Sequence, residues 1–129
     1  MQFGLWLAQH DPTPLPNGNL LVFDNRGHNG DSKVVEYDPT SMDIEWFYAG
    51  DRENRFFSGA GGANQRLSNG NTLITETDYG RAFEVTPEGD IVWEYLNPAR
   101  AGVSGGLIAS IFEMTRLPLD FPTEWVDHN

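Results

Sequence analysis

The chain has 129 residues, 39% of them hydrophobic and 21% charged, which suits one compact unit or a piece of a larger one. Nineteen carboxylates against eight Lys and Arg give a net charge of −11, which excludes a surface built to grip nucleic acid or an anionic membrane. With no cysteine, disulfides, thiolate zinc sites and cysteine nucleophiles are excluded as well.

In chain order, Met1 to Gln9 comes first. It has no basic leader, and its apolar run is too short for a signal peptide. No stretch of the sequence reaches the length of a transmembrane helix. The next feature is a repeat. Leu15-Pro16-Asn17-Gly18-Asn19-Leu20-Leu21-Val22 returns as Leu67-Ser68-Asn69-Gly70-Asn71-Thr72-Leu73-Ile74, an offset of 52 from Leu15 to Leu67. Val35-Glu36-Tyr37-Asp38-Pro39 returns as Phe83-Glu84-Val85-Thr86-Pro87 at an offset of 48, and Ile44-Glu45-Trp46-Phe47-Tyr48 as Ile91-Val92-Trp93-Glu94-Tyr95 at 47. The shrinking offset places a longer loop in the first copy, between Asp24 and Lys33.

Each copy predicts four short strands. The first ends at Leu15 or Leu67, where an Asn-Gly turn follows. The second runs Leu20 to Phe23 or Thr72 to Thr75, and the third Val34 to Tyr37 or Ala82 to Val85. The fourth, Ile44 to Tyr48 or Ile91 to Tyr95, alternates apolar and polar residues. No helix is predicted, because Gly or Pro interrupts every candidate. The period of about 50 residues points to an all-β fold of four-stranded antiparallel β-propeller blades, ahead of a small β-sandwich. Blade one is expected at about 9–50 and blade two at about 62–98. Arg116-Leu117-Pro118 matches Arg66-Leu67-Ser68, so a first strand of a third blade and a tail are expected at about 108–129. Trp46 with Trp93, and Tyr48 with Tyr95, share repeat positions and read as inter-blade packing. Phe56 to Gly62 reads as an inter-blade linker. Two blades leave open edges, so the sequence predicts either a remainder of a longer propeller or a homo-oligomer, with three copies giving six blades.

With the blades laid out, the sequence resembles the arylsulfotransferase family of six-bladed propellers. The resemblance runs from Gln9 to about Pro122. It rests on Gln9-His10-Asp11-Pro12 with Phe23-Asp24-Asn25, on Gln65-Arg66-Leu67 with the Asn-Gly turn, and on Gly80-Arg81-Ala82-Phe83-Glu84-Val85-Thr86-Pro87 through Trp93-Glu94-Tyr95. It implies transfer of a sulfuryl group from an aryl sulfate to a phenol through a sulfohistidine, with His10 as nucleophile. It implies no cofactor, and a periplasmic setting although the chain start carries no signal pattern. A carboxylate on the other ring nitrogen would fix the tautomer of His10, from Asp11 or from elsewhere. The sulfuryl oxygens need donors or cations. Arg66 and Arg116, on innermost-type strands, are the candidates by position, with Asn25 and His28 as further candidates for substrate contact.

The alternatives come from other classes. His10 in a non-catalytic module would only line a channel, and Arg66 would be a structural cation paired with a carboxylate. His28 would belong to a solvated turn. The Asp24, Asn25, Asn29 and Asp31 cluster lacks EF-hand spacing, so no metal is expected, and nothing supplies the ligands of a quinone-dependent dehydrogenase. His128 is expected to be uninvolved.

Overall fold

The structure is a computed structural model that describes residues 6–126, apart from the side chain of His28. The readings of the chain start and of His128 rest in part on residues outside that range.

Eight strands form two antiparallel sheets. β1 (Gln9–Pro14), β2 (Leu20–His28), β3 (Asp31–Tyr37) and β4 (Ile44–Ala49) make the first, in that order; β5 (Ala63–Arg66), β6 (Thr72–Glu76), β7 (Arg81–Val85) and β8 (Ile91–Leu96) make the second. A short ribbon comes next, β9 (Arg100–Ala101) against β10 (Leu107–Ile108). The fold is all-β, with propeller-type blades as the repeat predicts.

The repeated turn shows why its sequence recurs. Leu15 N donates to Asn19 O at 2.8 Å and Gly18 N to Leu15 O at 2.9 Å; Leu67 and Gly70 repeat these bonds at 2.8 and 3.0 Å. The leading Asn accepts from the trailing Asn's backbone N–H at 3.0 Å in both copies. Gly18 and Gly70 hold φ of 91° and 90°, a conformation that costs glycine nothing. Each strand pair is thereby set in the same register.

The expected long loop between Asp24 and Lys33 is instead a longer hairpin. β2 continues through Arg26 to His28 with a bulge after Asp24, and Asn29-Gly30 turns the chain at φ of 53° and 91°. This is a second Asn-Gly hairpin signal of the same kind as the repeated one.

The core lies between the blades. Leu21, Phe23, Val34 and Tyr48 of blade one face Ile74, Phe83 and Val85 of blade two, with Leu15, Trp46 and Ile91 at the margin. Phe56, from the β4–β5 connection, packs between them and touches Phe23, Tyr48 and Phe83 at centroid separations of 5.3, 5.7 and 5.4 Å. The segment thus joins the blades by filling their interface. Gly62 is required beside it. A Cβ there would lie 2.5 Å from the buried Phe23 ring.

Trp46 and Tyr48 are inter-blade residues: Trp46 Nε1 donates to Pro87 O at 2.8 Å, and Tyr48 is buried. Their counterparts Trp93 and Tyr95 are each 38% exposed and stack on one another at 6.4 Å. They lie on the equivalent face of blade two, whose outer half is open. Its inner half is covered by the chain itself. No strand forms over 111–116, yet this segment is tied to blade two by side chains: Met114 N donates to Thr75 Oγ1 at 3.0 Å. Gln65 both accepts from Arg116 N at 2.8 Å and donates to Arg116 O at 3.1 Å. On the other side of the unit, the Trp6 ring meets Tyr37 edge-on at 5.4 Å and closes over blade one.

Candidate functional site

β1 is irregular where its chemistry lies. His10 pairs with Phe23, then the register shifts before Thr13, and Asp11 takes φ of 47°. A positive φ at a non-glycine residue is uncommon, and here hydrogen bonds on both sides hold it. Asp11 Oδ2 accepts from Asn64 N at 2.8 Å and Asp11 O from Asn64 Nδ2 at 3.0 Å. The Asp11 carboxylate therefore staples the inner strands of the two blades together, while His10 is held by a different partner.

That partner is an amide. His10 Nδ1 lies 2.5 Å from Asn25 Oδ1. Asn25 is fully buried, and its Nδ2 donates to Ser58 O at 2.6 Å and Gly61 O at 2.7 Å. Ser32 Oγ donates to Asn25 O at 2.8 Å and accepts from Ser58 N at 2.9 Å. The expected carboxylate beside His10 is thus replaced by Asn25, the last residue of the Phe-Asp-Asn motif. Among the described residues His10 Nε2 makes no hydrogen bond, and the residue is partly exposed. Asp24, next to Asn25, turns elsewhere: it accepts from Leu7 N at 3.1 Å and lies 3.8 Å from Lys33. His28 contributes its backbone to β2, pairing with Asp31; its side chain is not among those described.

Arg66 and Arg116 make their contacts away from His10. Arg66 forms a clip across the junction of the two blades, and Arg116 makes the same contacts between the 111–116 segment and blade two. Arg66 Nη2 lies 2.9 Å from Glu36 Oε2 and its guanidinium stands 5.1 Å over the Trp46 ring. Arg116 repeats this on Glu84 at 3.1 Å and Trp93 at 5.4 Å. Glu36 also accepts from Asn19 at 2.8 Å and Asn17 at 3.2 Å, and Glu84 from Asn71 at 2.8 Å. Burial pushes the Glu36 carboxyl up, but the donors Asn19, Asn17 and Arg66 outweigh it and hold it below the usual carboxylate range. The clip was readable: Glu and Trp recur in the repeat blocks, and Arg recurs before Leu67 and Leu117.

Two predictions arise here. Arg66→Ala should cost about 1–3 kcal/mol in urea unfolding, because it strips a buried carboxylate of its cation. Arg116→Ala should cost less than about 1 kcal/mol, since that side chain is 47% exposed. Equal losses would contradict the assignment. Glu36→Gln should also destabilise at neutral pH. A carboxyl lowered in the folded state contributes stability above its ordinary value near 4.5 and loses it as pH falls through the lower folded value. The deficit of Glu36→Gln should therefore be full at pH 7 and vanish in acid, read from urea midpoints across pH.

A cavity of about 580 Å³ opens at the same strand ends as His10, lined by Arg55, Phe57, Glu76, Tyr79 and Arg81 among others. Burial raises the Glu76 carboxyl above its usual range despite Arg81 at 3.3 Å. Phe57 in its wall adjoins Ser58, the residue that anchors Asn25.

Against known proteins, the family model described as Arylsulfotransferase (ASST) matches residues 2–98. No curated protein matches the chain. A solved structure, described as a protein of unknown function from Bacteroides caccae, is similar in fold, with a TM-score of 0.50 and 17% identity. The match covers 68% of this chain and 31% of that one, so the chain spans about a third of its length. The family match takes in both blades with the Gln-His-Asp and Phe-Asp-Asn motifs, and the chain belongs to the arylsulfotransferase family.

Proposed function

We propose that this chain carries the nucleophile-bearing part of a sulfuryl transferase that moves SO₃ from an aryl sulfate to a phenol, with His10 as the residue that takes it. The observation that supports this reading most is the pairing of His10 with Asn25, which leaves the other ring nitrogen without a partner among the described residues, inside a segment matched by the family.

The chemistry balances as two displacements at sulfur. A neutral imidazole nitrogen attacks the sulfur of the aryl sulfate, the S–O bond to the ring breaks, and the phenolate leaves. The intermediate is a sulfohistidine whose ring carries a positive charge against the negative sulfonate. A second phenolate then attacks the same sulfur, the N–S bond breaks, and the neutral imidazole returns. Asn25 acts in this scheme through His10, being too buried to meet substrate. His28 stays a candidate for substrate contact.

A second reading has its own support. Arg66 and Arg116 are committed to Glu36 and Glu84, as expected of a module whose role is to join blades. In that case aryl sulfates leave no adduct. Intact-protein mass spectrometry after exposure to p-nitrophenyl sulfate decides between the two. The transferase reading expects a mass gain of one SO₃, mapped to His10 and discharged by added phenol. A chain that stays unmodified sinks it.

A further inference from the structure

The atoms around Asn25 leave one arrangement of its amide. A carbonyl oxygen has no proton to give, so the end of the amide facing Ser58 O and Gly61 O must be the NH₂ group. Both of its protons are then used, one on each carbonyl. The other end, Oδ1, faces His10 and can only accept. An acceptor there requires a proton on Nδ1. In a neutral imidazole, which has one N–H, Nε2 must then carry the lone pair.

From this we infer that Asn25 is a positioning residue that fixes His10 as its Nδ1–H tautomer and so makes Nε2 the atom that accepts the sulfuryl group. The inference rests on the reading of His10 as nucleophile, and adds to it which nitrogen reacts and what selects it. During the first displacement Nδ1 keeps its proton. The positive charge that develops on the ring strengthens its donation to Oδ1, so the bond tightens as sulfur is captured. The anchors lie outside β1 and β2. Ser58 and Gly61 belong to the β4–β5 connection, so the identity of the reactive nitrogen depends on how the two blades are joined.

The arrangement occurs once in the two blades. Fifty-two residues on from His10 and Asn25 stand Gly62 and Thr77, which offer neither an imidazole nor an amide.

The test reads the tautomer directly, without activity. A long-range ¹H–¹⁵N correlation spectrum of the labelled chain, taken where the imidazole is neutral, should show His10 with a protonated Nδ1 and an unprotonated Nε2. His10→Ala identifies the signals. A proton on Nε2, or a fast mixture of both forms, would overturn the inference. Asn25→Ala should convert His10 to such a mixture. Where transfer is measured, it should lower kcat roughly 10–100-fold with KM little changed, the usual cost of losing a group that orients a functional imidazole. If Asn25→Ala does not fold, the wild-type spectrum decides alone. A chain with the Nδ1–H form and no SO₃ adduct would end the transferase reading and leave this assignment standing. An adduct on Nδ1 would do the reverse.

Discussion

His10→Ala is expected to fold normally, to take up no SO₃ from p-nitrophenyl sulfate, and to lose transfer by roughly 10⁴–10⁶-fold, down to the background rate. The size comes from the kind of step removed. A covalent intermediate splits one difficult displacement into two, and no other imidazole stands at the matching place in blade two. The fold should survive, because His10 is only partly buried and the junction it adjoins is stapled separately by Asp11 and Asn64. Loss of its bond would leave the buried Asn25 Oδ1 without a donor, at a cost of about 1–3 kcal/mol. The checks are adduct mass, steady-state turnover and a urea melt on one preparation. A variant that still forms the adduct would remove His10 from its role.

Phe56→Ala is the substitution expected to damage stability most, by about 3–5 kcal/mol. Its ring is 2% exposed and meets aromatic rings from both blades, Phe23 and Tyr48 on one side and Phe83 on the other. Edge-to-face packing with Phe23 and Phe83, at 80° and 82°, adds to the area buried. Domains are stable by only about 5–15 kcal/mol, so a loss of this size removes at least about a fifth of the whole. The void would open between the blades, where both sheets meet, and cannot be closed by either sheet alone. Urea unfolding should show the midpoint falling sharply. A shift worth less than about 1 kcal/mol would mean that the interface is held by something other than this ring.

Most of the fold was legible because blades are local. Each turn and hairpin is specified within a few residues, as in the Asn17-Gly18-Asn19 turn and its copy, and period-2 patterning did the rest. The one hairpin read as a loop, Arg26 to Asp31, carried its own Asn-Gly signal, hidden by polar neighbours that resemble a solvated turn. The third-blade strand over 108–118 was read from Arg116-Leu117-Pro118. No strand forms over 111–116, and that segment is held to blade two by Gln65 and Thr75 side chains in place of a strand ladder. The site was less legible than the fold. His10 and Asn25 stood out through motifs, yet their bond spans 15 residues and its anchors at Ser58 and Gly61 lie over 30 residues on. Nothing in local patterning reports such contacts. The guanidinium groups were assigned by strand position, which gives the lane of a residue without saying whether it points to the channel or to the next blade.

The clip that joins the blades has a direction, and that bears on assembly. The Glu and Trp half sits on one face of each blade, and the Arg half on the innermost lane of the next unit along the chain. Blade one has the receiving half, but its own inner strand carries Pro14 where Arg66 and Arg116 stand in the later copies. Junctions of this kind are head-to-tail, so repeated addition either closes a ring or runs on as a filament. A second copy docking on blade two would bring its own β1 to the lane that 111–116 already holds. Docking by a copy and the grip of Arg116 on Glu84 would therefore compete for the same track.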